Sequence, residues 1–180
     1  MNLRFEIKRT RIIENTAFVL IARIVFEFLN IGIRYGRLVV SFDFSPWSAV
    51  YTFCIILLIY ACFSLSETFA AVGVGGVCCV YFLRAVIDLL SALAEKDAGI
   101  LLPSFMLLYM FAVSVVVLSF MMGKVRLDFI KLFTLICIAG YTVYIVFEII
   151  RCGGTLSFSG LCDILVIVSY AMMVRSMEEK

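Results

Sequence analysis

The chain has 180 residues, of which 64% are apolar and 16% charged, and its formal net charge is +2. Soluble proteins contain about 45–50% apolar and about 25% charged residues, so this composition indicates an integral membrane protein without a soluble catalytic or nucleic-acid-binding domain. The chain has no histidine, zinc-ligand spacing or nucleophile elbow, which argues against an enzyme. A carboxylate-only intramembrane enzyme is the one catalytic alternative, and no cofactor is expected.

Six apolar segments predict six transmembrane helices, because a bilayer core of roughly 30 Å requires about 20 residues per helix. In chain order they are residues 12–33, 48–66, 68–93, 104–122, 129–150 and 161–175. The predicted fold class is therefore an all-α integral membrane protein with one transmembrane domain, residues 1–180. The sixth segment is short for a full span. We interpret Asp163 near its start as a helix-start residue, and a lumenal role is the alternative.

The distribution of basic residues predicts the orientation of the chain. Arg4, Lys8, Arg9 and Arg11 precede the first apolar segment, and no small-residue cleavage site follows it, so we do not expect a removed signal peptide. If this end is cytoplasmic, nine Lys and Arg residues lie on the cytoplasmic side and four on the outer side. The positive-inside rule then predicts that both termini are cytoplasmic, in a plasma or inner membrane.

A short pattern recurs three times at nearly constant spacing and predicts an internal repeat. The three copies are Arg23, Val25 and Glu27; Arg84, Val86 and Asp88; and Tyr144, Val146 and Glu148. Each copy lies in an odd-numbered helix, so the repeats would be three parallel helical hairpins related by pseudo-threefold symmetry, approximately 12–66, 67–122 and 127–176. Chance similarity between apolar segments is the alternative.

The repeated acids belong to polar stripes, since residues at i, i+4 and i+7 share one helix face. Polar side chains in hydrocarbon must find partners or water, so we expect the stripes to face the bundle interior. They supply the predicted substrate- or ion-binding residues, without indicating a particular metal. These residues are Arg23, Glu27 and Asn30; Arg84, Asp88 and Ser91; and Tyr144, Glu148 and Arg151.

Two interpretations of the stripes stay open. If the odd helices surround an axis, Glu27, Asp88 and Glu148 form an acidic ring of the kind that binds cations. Alternatively, each acid pairs with an arginine on its own helix, and the stripes only hold the bundle together. Arg151, three residues after Glu148, would be the partner in the third repeat.

These patterns predict a small multi-pass membrane transporter or channel for a cation, a proton or a small solute. The alternative is a non-transporting subunit that anchors, regulates or assembles a larger complex. The expected partners are the lipid bilayer and a small ion or solute, and not nucleic acid; a homo-oligomer or a larger membrane complex is left open.

Four further features carry weaker predictions. Cys152 and Cys162 flank the third outer loop and could form a disulfide in an oxidising compartment. Ala71 and Gly75, together with Gly73 and Gly76, have spacings that permit close helix approach. Tyr81 and Tyr141 precede the charged positions by one turn, and we interpret them as aromatic packing residues. Pro46 and Pro103 are expected to open the second and fourth helices.

Overall fold

The computed structural model describes residues 5–29, 31–34, 37–40, 45–95, 101–151, 156–157 and 159–179, and it is predominantly helical. The six helices are α1 (Arg11–Leu29), α2 (Pro46–Ser64), α3 (Glu67–Glu95), α4 (Leu101–Met121), α5 (Leu127–Arg151) and α6 (Ser159–Arg175). The five short strands are β1 (Phe5–Ile7), β2 (Ile31–Arg34), β3 (Arg37–Val40), β4 (Leu156–Ser157) and β5 (Met177–Glu179). The predicted helical fold is confirmed, and the strands were not predicted.

Four helices are long and apolar enough to cross a membrane, as judged from the described residues. They are Pro46–Ser64, Glu67–Ala94, Leu102–Met121 and Leu127–Arg151. Of the other two helices, α1 carries four charged residues within 19, and α6 has only 17 residues. The structure is therefore consistent with a helical membrane protein.

The first helix is shorter than the predicted segment 12–33, which is a correction to the sequence analysis. It ends at Leu29, and Ile31–Arg34 forms β2 instead. β2 pairs antiparallel with β3 on one edge and with β4 on the other. The alternating β-branched residues of this segment favour a strand. The helical stripe of α1 therefore ends at Glu27, and Asn30 lies outside the described residues.

The helices form a closed ring. Each helix packs against the next one in sequence, and α6 returns to pack against α1. The α3–α4 contact is the most extensive of these contacts, and the α4–α5 contact is the least extensive. β1 and β5 pair antiparallel, so both ends of the described chain lie on the same face of the bundle.

A capping box fixes the start of α2. The Ser48 amide donates to the Ser45 side-chain oxygen at 3.1 Å, and the Ser45 amide donates to the Ser48 hydroxyl at 3.0 Å. Pro46 is the first residue of the helix, as predicted, where its missing N–H costs no hydrogen bond. Tyr51 follows less than one turn after Ser48 and is directed into the bundle, where it is 4% exposed.

Glycines of α3 allow that helix to pack tightly against α2. A Cβ atom on Gly73 would lie 2.7 Å from the Leu58 side chain, and one on Gly76 would lie 2.6 Å from the sulfur of Cys54. A Cβ atom on Gly75 would lie 4.0 Å from its nearest neighbour. The close approach is therefore at Gly73 and Gly76 rather than at Gly75.

Candidate functional site

Side chains from five helices meet in the bundle around Asp163 of α6. The hydroxyl of Tyr81 on α3 donates to Oδ1 of Asp163 at 2.6 Å. The hydroxyl of Tyr141 on α5 donates to Oδ2 at 2.7 Å. Tyr51 on α2 reaches the Tyr81 hydroxyl at 2.7 Å, and Arg23 on α1 packs against the Tyr51 ring. We call these five residues the Asp163 centre.

The hydrogen bonds of the Asp163 centre have a defined direction. A phenol has one hydroxyl hydrogen, and Tyr81 directs its hydrogen to Asp163. Tyr51 must therefore be the donor in its bond to Tyr81. All three phenol hydrogens then point along the series toward the same carboxylate, with one tyrosine bonded to each carboxylate oxygen.

The tyrosines of the centre are buried within the bundle. Tyr51 and Tyr81 are 4% exposed and Tyr141 is 2% exposed. A buried hydroxyl without a partner is costly, and each of these three has one. The rings of Tyr51 and Tyr81 also make an edge contact at 5.4 Å. The centre thus joins α2, α3, α5 and α6 through polar groups that are shielded from solvent.

Arg23 is a buried cation that is only partly satisfied. Its side chain is 3% exposed, and its guanidinium carbon lies 3.8 Å from the centroid of the Tyr51 ring, a cation–π geometry. Nη2 donates to Oε2 of Glu27 at 2.9 Å. Nε and Nη1 are buried and have no hydrogen-bond partner among the described residues.

The two other stripes also contain ion pairs within single helices. Arg84 Nε lies 3.9 Å from Asp88 on α3, and Arg151 Nη2 donates to Glu148 on α5 at 2.6 Å. Each repeated acid thus has an arginine of its own helix within ion-pair distance, as the second interpretation of the stripes expects. Within the described part of the chain, no group of three Asp, Glu, Cys or His side chains could hold a metal ion.

The Asp163 centre and the repeated acids of α3 and α5 lie at different heights along the helices. Tyr81 follows the start of α3 by fourteen residues, and Tyr141 follows the start of α5 by the same number. At 1.5 Å per residue these tyrosines lie about 21 Å along each helix, whereas Asp88 and Glu148 lie about 32 Å along. The tyrosines and the repeated acids are therefore about two helical turns apart.

The remaining predicted site residues lie around or outside this centre. The Tyr144 ring contacts that of Tyr141 at 5.5 Å, and Ser91 is half-buried on α3. Cys162 is buried, with its sulfur 4.0 Å from the Arg23 carbonyl oxygen. Cys162 is a free thiol in the structure, so the disulfide with Cys152 that the sequence allows is not formed here; Cys152 itself lies outside the described residues.

The sequence analysis did not identify the tyrosines or Asp163 as site residues. One signal was available, because Tyr81 and Tyr141 are separated by sixty residues, which is the spacing of the repeat. Each also precedes the aligned position, Arg84 or Tyr144, by three residues. Asp163 has no counterpart in the other repeats, so the repeat pattern did not identify it as a site residue.

No protein-family model matches the chain, and comparisons with curated proteins and with solved structures give no match. Function has to be inferred from the chain's own residues.

Proposed function

We propose that this protein is a small multi-pass membrane transporter or channel for a cation, a proton or a small solute, with the Asp163 centre as its site. The observation that carries the proposal is the carboxylate of Asp163, which is bonded to tyrosines from two different helices. Ionisable residues within membrane bundles are rare and commonly belong to ion or proton pathways. The repeated acids serve as helix-stabilising ion pairs in this proposal.

We further propose that all six helices cross the membrane, with both termini in the cytoplasm. The β1–β5 pairing supports this topology, because an even number of spans returns the chain to its starting side. α1 is less apolar than the other helices partly because it contains Arg23 and Glu27. These two charges are paired with each other, which makes their placement in a membrane less costly. The excess of basic residues on the side of the termini supports the cytoplasmic assignment.

The Asp163 centre also supports an internal repeat. Tyr81 and Tyr141 occupy equivalent positions in the proposed second and third repeats, and they bind the two oxygens of one carboxylate. The equivalent position in the first repeat is Leu20, which is buried and apolar. The three hairpins would therefore share an origin, and the first would contribute Arg23 and Tyr51 from positions that have no equivalent in the other two hairpins' share of the centre.

The direction of the hydrogen bonds suits proton transfer. Tyr51, Tyr81 and Asp163 form a series in which each hydroxyl hydrogen points toward the carboxylate. When the Tyr51 oxygen accepts a proton from water, Tyr51 passes its own hydroxyl hydrogen to Tyr81, and Tyr81 passes its hydrogen to Asp163, which becomes neutral. Release of that proton from Asp163 to water, followed by rotation of the two hydroxyl groups, restores the series. Carboxylate chains in pumps and transporters relay protons in this manner.

The proposal is tested with purified protein in liposomes. Proton flux is followed with a trapped pH indicator, and alkali-cation flux is followed with a radioactive tracer. We expect flux above that of empty liposomes and a loss of about tenfold or more in Asp163→Asn, because the variant lacks the ionisable group of the proposed pathway. The amide keeps the shape of the side chain but cannot carry a proton.

Asp128→Asn is the matched control. Asp128 lies in the first turn of α5 and is exposed, so its substitution is expected to leave flux unchanged. Undiminished flux in folded Asp163→Asn would contradict the assignment of the site. Absence of any proton or cation flux from the folded wild-type protein would restrict the proposal to transport of a small solute.

A non-transporting membrane subunit is the second candidate, and the exposure of α5 favours it. Only 17% of its apolar span is buried, against 39% to 50% for the spans of α2, α3 and α4. Large apolar side chains such as Phe147 and Ile150 cover its outer face. In a bilayer this face contacts lipid or a helix of another protein.

Co-purification separates the two candidates. A stoichiometric partner with its own pore or catalytic domain, retained after purification in mild detergent, would favour the subunit. A homogeneous preparation of this chain alone that supports flux would exclude it.

A further inference from the structure

Arg23 has more donor capacity than its described surroundings use. The side chain is 3% exposed, so its charge is held away from solvent. One guanidinium nitrogen, Nη2, bonds to Glu27, while Nε and Nη1 have no partner among the residues that the structure describes. Buried polar groups in native proteins are nearly always satisfied. A group that accepts these hydrogen bonds is therefore expected to bind here.

We propose that the Arg23 guanidinium binds the oxyanion of a small soluble solute, a carboxylate or a phosphate group, and that this solute is the transported substrate. This inference rests on the proposed function. Guanidinium groups are the usual partners of planar or tetrahedral oxyanions, because they offer several N–H donors in a fixed plane. The Tyr51 ring, 3.8 Å from the guanidinium carbon, holds that plane in position.

The position of Arg23 favours a soluble anion over a lipid headgroup. Arg23 follows the start of α1 by twelve residues, which is about 18 Å along the helix. A phospholipid places its phosphate at the membrane surface, outside a hydrocarbon core of about 30 Å. The nearer end of α1, at Leu29, is six residues from Arg23, about 9 Å along the helix, so a headgroup would have to move inward by about this distance, whereas a small solute only has to enter the bundle.

Glu27 is the competitor of the incoming anion. It bonds to the same guanidinium, and its side chain is 21% exposed, compared with 3% for Arg23. Glu27 thus lies on the more accessible side of the pair and can exchange its place with a solute oxyanion. Because like charges repel in a partly buried site, removal of the Glu27 charge should strengthen anion binding, whereas removal of the Arg23 guanidinium should abolish it.

Binding is measured by the thermal unfolding of the full-length protein in lipid-free dodecylmaltoside. The probes are sodium acetate and sodium phosphate, each compared with sodium chloride at equal ionic strength. A ligand that binds only the folded state raises the midpoint in a concentration-dependent way. We expect acetate, phosphate or both to raise it, and a soluble short-chain phosphatidylglycerol to have no effect.

Three substitutions locate the site. Arg23→Lys keeps the positive charge but loses the planar donors, and it is expected to weaken binding by about tenfold or more. Glu27→Gln is expected to tighten binding by about tenfold, since it removes a nearby like charge. Arg126→Gln, which removes an exposed arginine between α4 and α5, should leave binding unchanged. Arg23→Gln should abolish it.

Each result has one meaning for the proposal. An oxyanion-specific shift that is lost in Arg23→Lys and strengthened in Glu27→Gln supports it. Equal midpoints in acetate, phosphate and chloride would overturn it and assign the free N–H groups to water. A shift that survives in Arg23→Lys, or one produced by the lipid alone, would also overturn it. If Arg23→Gln does not fold, the binding measurements on Arg23→Lys and Glu27→Gln test the proposal.

This measurement is independent of the flux assay. Oxyanion binding without liposome flux of protons, alkali cations or radiolabelled acetate and phosphate would retain the inferred site and reject the transport function. Flux that depends on Asp163 but occurs without oxyanion binding would retain the transport function and reject the inferred substrate class.

Discussion

Tyr141→Phe, which removes the tyrosine hydroxyl, is expected to lower the free energy of unfolding by about 1.5 kcal/mol. This value is near the upper end of the free energies measured for interhelical hydrogen bonds in membrane proteins. The upper end applies for two reasons. The acceptor is a carboxylate oxygen at 2.7 Å, and bonds to charged groups are stronger than neutral ones. The tyrosine is also 2% exposed, so solvent cannot readily replace the lost donor.

Tyr81→Phe is expected to lower the free energy of unfolding by a similar amount, because the Tyr81 hydroxyl donates to the other oxygen of Asp163 at 2.6 Å. Loss of both tyrosine hydroxyls should cost at least about 3 kcal/mol, because the carboxylate then has no tyrosine donor and its desolvation is no longer offset. In the Asp163→Asn background, Tyr141→Phe should cost less than about 0.5 kcal/mol.

The assay is equilibrium unfolding in mixed micelles of dodecylmaltoside and dodecyl sulfate, followed by circular dichroism. Tyr60→Phe is the control, because Tyr60 is 53% exposed and its substitution should change stability by less than about 0.5 kcal/mol. The reasoning is refuted if Tyr141→Phe behaves like Tyr60→Phe, or if its cost is the same with aspartate and with asparagine at position 163.

Two further predictions concern helix packing and charge, and both use the same unfolding assay. Gly73→Ala should destabilise by about 1–3 kcal/mol, because its Cβ would lie 2.7 Å from Leu58. Gly75→Ala should be neutral or stabilising by up to about 1 kcal/mol, and equal effects at the two positions would contradict the packing described for α2 and α3. Arg23→Gln should cost about 3 kcal/mol, because the arginine side chain is only 3% exposed, whereas Arg84→Gln, where the arginine is 52% exposed, should cost less than about 1 kcal/mol. A larger loss of unfolding free energy in Arg84→Gln than in Arg23→Gln would show that burial of the arginine does not determine the size of the loss.

Segment length and apolar composition were sufficient to predict six helices, four of which, judged on the described residues, are long and apolar enough to cross a membrane. They failed at the end of α1. Residues 31–34 are apolar enough to extend the helix, but they pair with β3 and β4 instead. β4 is supplied from more than 120 residues later in the chain, and no local pattern reports such a partner.

The candidate site could be predicted only in part, and for the same reason. Helical periodicity correctly gave the ion pairs within single helices, such as Arg151 with Glu148, because both partners lie on one face. The bonds of Asp163 join residues 82 and 22 positions apart in the sequence. Their formation depends on how the helices are arranged in the ring, which periodicity within one helix does not determine.

Asp163, held by Tyr81 and Tyr141, is the proposed functional acid of the bundle. The decisive measurement is flux per folded molecule in liposomes, compared among the wild type, the double variant Tyr81→Phe with Tyr141→Phe, and Asp163→Asn. We expect reduced flux in the double variant and a loss of about tenfold or more in Asp163→Asn, because this variant lacks the ionisable group. Wild-type flux in folded Asp163→Asn protein would contradict this proposal.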